Sequence, residues 1–163
     1  MPNFTEADIR ARASAQSYSR GVSYQRDGAV LALAQRDNVI TAEVSGSDYA
    51  PYDVEIHLDA TGAIHSAGCS CPYEQGGYCK HIVAVLLAVL KNSDDIAVHP
   101  SVASLLAGLG EAELRQIVLT IAQAEPGFAD AIEREVNLLR RTRAEAVTPA
   151  GGVPAPFVDA AAA

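Results

Sequence analysis

At 163 residues and 17.0 kDa the chain has room for one domain with an appendage, and 49% hydrophobic residues supply a core. Its longest apolar run, Ile82 to Leu90, has nine residues against the roughly 20 that span a bilayer, which excludes that run as a transmembrane helix. The formal net charge is −8, with 7 Lys+Arg against 12 Asp+Glu over 1–98 and 5 against 8 over 99–163; both parts are acidic, which argues against strong autonomous binding to nucleic acid.

The opening "MPNFTEADIRARA" alternates charged with small residues and has no signal-peptide pattern, so a cytoplasmic chain is expected. A short helix is expected from Thr5 to Ser17, with Thr5 as N-cap, Asp8 three positions on, and Ile9 and Ala13 on one face. Gly21 and Gly28 follow, where the chain is expected to reverse. From Ala29 the period becomes two. "AVLALAQ" and "VITAEV" flank the polar turn "RDN" and read as a hairpin. In "YDVEIHL" Val54, Ile56 and Leu58 alternate with Asp53, Glu55 and His57, the pattern of a half-buried antiparallel strand. "AIHSAGCSC" completes a meander of about four strands.

An apolar helix is expected from about Lys80 to Lys91, after which "NSDD" (Asn92 to Asp95) is a hinge or a tight turn. "HPSVASLLAGLG" reads as a short helix with Pro100 in its first turn and Gly108 or Gly110 at its end. Leu114, Ile117, Val118 and Ile121 mark an amphipathic helix stopped by Pro126; Phe128, Ile132, Val136 and Leu139 mark another, to about Arg143. The expected fold class is α+β: an N-terminal helix, the meander, a knuckle leading into a buried helix, and a helical extension. The expected divisions are 1–92, 93–143 and a disordered tail over 144–163, where "PAPFVD" is a candidate docking segment.

All three cysteines fall within "CSCPYEQGGYCKH", residues 69–81. An odd number suits a metal site or a reactive thiol better than a disulfide framework. On a strand, Cys69 and Cys71 face the same side. Cys79 and His81 meet them if Cys79 lies just before a helix and His81 in its first turn, with Pro72 and Gly76-Gly77 folding the chain back. Three thiolates and an imidazole make a closed tetrahedral shell for one structural zinc ion. Buried core cysteines and a redox or Cys-His catalytic pair are the other readings; no orienting third group or oxyanion site is visible for the latter.

The stretch "CSCPYEQGGYCKHIVAVLLA" resembles the SWIM zinc finger, whose signature is C-x-C, a variable spacer, then C-x-H. "SYSRGVSYQRDGAV", "GSDYAPYDVEI" and "GAIHSAGCSC" are similar to the segments found upstream of that finger, so the resemblance covers about residues 10–91. It implies zinc ligation by Cys69, Cys71, Cys79 and His81. SWIM fingers accompany helicase-like ATPases, transposases and recombination accessory proteins, and are assigned DNA-binding or protein-interaction roles. The chain has no G-x-x-x-x-G-K-[ST] loop, so a stand-alone adaptor of the bacterial type is expected. Its expected partner is a protein, such as a helicase-like ATPase or a recombination factor. The alternative is direct nucleic-acid contact through Lys80, Tyr73, Tyr78, Arg20 and Arg26. Arg140, Arg141 and Arg143 suit a helix C-terminus instead. His57, His65 and His99 are scattered, so enzymatic activity, a small-molecule substrate and a membrane partner are not expected.

Overall fold

The computed structural model describes residues 2–91 and 95–147. It divides into two units, one ending at Ala107 and one beginning at Gly108. The expected boundary at residue 92 does not match this division, because a short strand and a short helix beyond it join the first unit.

The first unit starts with α1 (Glu6–Ala11) and α2 (Ala15–Arg26). Thr5 caps α1 as expected, its side chain accepting from the Asp8 N–H while the Asp8 carboxylate accepts from the Thr5 N–H. The single helix expected over Thr5–Ser17 is instead two, because Ser14 caps a second start by accepting from the Ser17 N–H. Gly21, expected at a reversal, lies inside α2. A Cβ there would sit 2.4 Å from Val83 Cγ1, so the glycine serves close helix packing. Gly28 does adopt the expected positive φ.

Strands β1 (Val30–Arg36), β2 (Val39–Val44), β3 (Tyr52–Leu58) and β4 (Ile64–Cys69) form the expected antiparallel meander. The inward residues Ile40, Ala42 and Val44 of β2 and Val54, Ile56 and Leu58 of β3 are buried, and their neighbours in sequence face outward. Next comes α3 (Lys80–Lys91), buried from His81 to Val89. It touches all four meander strands as well as α1 and α2. A helix enclosed on all sides explains an apolar run without an exposed polar stripe. The sheet has a fifth strand, β5 (Ala97–Val98), giving the order β4-β3-β2-β1-β5. It pairs parallel with β1, and the His99 N–H donates to the Gln35 carbonyl. Residues 92–94 of the expected hinge lie outside the described residues. The unit closes with α4 (Val102–Leu106), capped by Ser101, so Pro100 precedes the helix and does not sit in its first turn.

The second unit pairs α5 (Glu111–Ala124) with α6 (Pro126–Val147). Gly110 precedes α5 and donates its N–H to the Glu113 carboxylate at 2.8 Å. The helix expected to end near Arg143 continues to Val147, which overturns the expected tail at 144–147; the rest of that tail, with "PAPFVD", lies outside the described residues. No helix among the described residues is long and apolar enough to cross a membrane.

Candidate metal centre

Strand β4 ends at Cys69, and Cys71 lies two residues further along, past the last ladder position. The chain is still held to β3 between them. The Ser70 N–H donates to the Asp53 carbonyl, and Ser70 Oγ accepts from the Asp53 N–H, both at 2.9 Å. The Tyr73 N–H then donates to the Cys71 carbonyl at 2.8 Å and starts the return. Gly76 and Gly77 both have positive φ, as the fold-back requires. A side chain at Gly77 would also sit 2.6 Å from the Arg12 carbonyl oxygen. That oxygen accepts the Tyr78 N–H at 2.7 Å, while the Arg12 guanidinium donates to Tyr78 Oη and to the Ile64 carbonyl. The loop is therefore stapled to the link between α1 and α2. Arg12 has no recognisable signal in the sequence, because its partners, the Ile64 carbonyl and Tyr78 Oη, are distant in sequence.

Cys79 immediately precedes α3, its carbonyl accepting the Val83 N–H, and His81 lies in the first helical turn. Cys69, Cys71, Cys79 and His81 bring their donor atoms within 4.8 Å of one another. His81 Nδ1 is 3.6 Å from Cys69 Sγ and 3.9 Å from Cys79 Sγ. Donors bound to one tetrahedral zinc at about 2.3 Å for sulfur and about 2.0 Å for nitrogen stand roughly 3.6 Å apart. The donor set and its spacing fit zinc, and the site is positioned to hold one ion with four protein ligands.

The sulfurs are electrostatically unequal. A hydrogen bond from Cys69 holds Cys79 well below the usual thiol range, at about 4, with contributions from His81 and the Ile82 N–H. The same contact, with burial, pushes Cys69 far up, and burial first of all raises Cys71. A helix N-terminus beside Cys79 favours the thiolate that a metal needs.

His81 is 2% exposed, with Tyr52 and Tyr24 rings at centroid distances of 4.7 and 5.5 Å. Gly46 makes room for this packing: a Cβ there would fall 2.3 Å from Tyr52 Cε2 and 3.2 Å from His81 Nε2. With Nδ1 facing the sulfurs, Nε2 is buried without a hydrogen-bond partner among the described residues.

Of the candidate contact residues, Arg20, Lys80 and Tyr73 line one cavity of ≈ 220 Å³ beside the metal centre, together with Ser17, Ser47 and Tyr52. Tyr78 is not a surface contact. It is 8% exposed and belongs to the core, since its hydroxyl is engaged by Arg12. Arg26 does not line that cavity, and it pairs with Asp27 at 3.0 Å.

The family model of the SWIM zinc finger matches residues 52–90, from β3 to the last turn of α3. The chain therefore carries a SWIM zinc finger, whose four ligands are the cluster described above. No curated protein and no solved structure matches the chain.

Proposed function

We propose that this chain is a non-enzymatic adaptor in which a zinc-held α+β unit carries a helical unit that binds another protein. The observation that supports this most is the apolar surface of α5 and α6, where Leu119, Leu138 and Leu139 are each more than half exposed. Ile117, Val118, Ile121 and Val136 are also exposed. Exposed apolar residues in this number favour a protein interface, and the acidic charge disfavours polyanions. Four protein donors on one zinc leave no position for water or substrate, which favours a structural ion over a catalytic one. The partner class implied by the family resemblance is a helicase-like ATPase or a recombination factor.

Direct nucleic-acid contact is the second reading, favoured by the convergence of Arg20, Lys80 and Tyr73 on one cavity. Titrating zinc-loaded protein into labelled single- and double-stranded DNA at two salt concentrations separates the two. The adaptor reading expects no salt-dependent binding. Binding that weakens with salt and is lost in Arg20→Gln would replace it with the second reading. Cross-linking to a candidate ATPase that disappears in Leu119→Ser/Leu139→Ser, with helicity retained, is the positive result expected of the adaptor.

A further inference from the structure

The cavity beside the metal centre has a donor chemistry that metal ligation does not explain. Its lining carries two cations, Arg20 and Lys80, and no Asp or Glu, although acidic residues outnumber basic ones 20 to 12 in the chain; Cys71, Cys79 and His81 of the metal centre line it too, and a bound zinc ion would offset the charge of those two thiolates. Among the described residues neither cation has a carboxylate partner. Lys80 Nζ donates to Tyr24 Oη at 2.6 Å and lies 4.4 Å from that ring's centroid, which leaves further ammonium protons.

The hydroxyls run the same way. Ser14 Oγ donates to Ser17 Oγ, and Ser17 Oγ donates to Tyr73 Oη, each at 3.1 Å. Tyr73, at the end of this chain and on the cavity wall, keeps its own proton to donate. His81 lines the cavity as well, 2% exposed, with Nε2 unpartnered. Ligation through Nδ1 leaves the ring proton on Nε2, so the imidazole is a buried donor without an acceptor. That atom is closed off from solvent, so His81 lends the cavity a wall and not a donor.

The donors sit on three elements: Arg20 on α2, Tyr73 in the cysteine loop and Lys80 at the start of α3. Several donors around one small cavity suit an anion with several acceptor oxygens, and a tetrahedral oxyanion offers more of them, outside a single plane, than a carboxylate does. The cavity is smaller than the roughly 300–1,000 Å³ of sites for drug-sized molecules, which suits a single anionic group. We propose that this cavity binds one phosphate-type oxyanion, either free or as the monoester group of a small molecule, as a ligand and not as a substrate. The site stands independently of whether α5 and α6 bind a protein.

The test is calorimetric titration of the zinc-loaded full chain at constant ionic strength, with inorganic phosphate in one arm and a nucleoside 5′-monophosphate in the other. One saturable site is expected in at least one arm. Tighter binding of the monophosphate assigns the group to a small phosphorylated molecule, and equal affinity assigns it to phosphate itself. Arg20→Gln, an exposed position, is expected to weaken binding about tenfold or more with zinc content unchanged. Arg26→Gln, outside the cavity, is expected to bind as the parent protein does. No saturable binding in either arm overturns the proposal, as does equal affinity in Arg20→Gln and the parent.

Discussion

At the scale of single residues, the metal centre depends on side chains that never touch the ion. Gly46 is a clear case. Any side chain there collides with Tyr52 and presses on His81, so Gly46→Ala is expected to cost about 1–3 kcal/mol by overpacking. It should also weaken zinc retention against a chelator; unchanged unfolding and unchanged retention would contradict the packing described. Asp59 is a second case, at the turn between β3 and β4. Its carboxylate accepts from Thr61 Oγ1 and from the Thr61 and Ala63 N–H groups, which holds it below its ordinary value of 3.8. The unfolded chain therefore takes up this proton first as pH falls, and the contribution present above 3.8 is lost through and below it. Asp59→Ala is expected to lower the denaturant midpoint at pH 6, and the difference should narrow toward pH 3.5; a constant difference would contradict this linkage.

At the scale of elements, what the sequence revealed depended on whether the signal was local. The alternation in "YDVEIHL" and the apolar run of α3 were readable, because each residue's environment follows from its own element's period. The cysteine spacing was readable for the same reason, since a strand end and a helix start bring those four residues together through one short loop. β5 was not readable: two residues pair with β1 across some sixty positions, and so short a segment carries no period. Gly21 was misread because a glycine that opens a turn and one that admits Val83 look alike in sequence. Tyr78 and Arg12 were misassigned or missed because their partners are distant in sequence. The enclosed position of α3 makes a sharp prediction. Leu86, fully buried, should cost about 2–5 kcal/mol when replaced by alanine, measured by chemical denaturation. A cost below about 1 kcal/mol would mean that α3 is not enclosed between the sheet and α1–α2.

At the scale of the whole molecule, a zinc ion held by the four ligands would join the end of β4 to the start of α3, and α3 is the centre of the first unit's core. Metal binding and folding of that unit are thus expected to be one equilibrium. Hydrogen exchange after chelation should show amides of β3, β4 and α3 losing protection, while those of α5 and α6 in the second unit change less. Uniform loss across both units would contradict this separation.

The most direct test of the zinc-built unit is metal stoichiometry by native mass spectrometry on the purified full chain, with Cys79→Ser beside it. The structure predicts one zinc per chain in the parent and none retained in the variant, together with a loss of cooperative unfolding. A folded parent without zinc, or a variant that keeps both the ion and the fold, would contradict it.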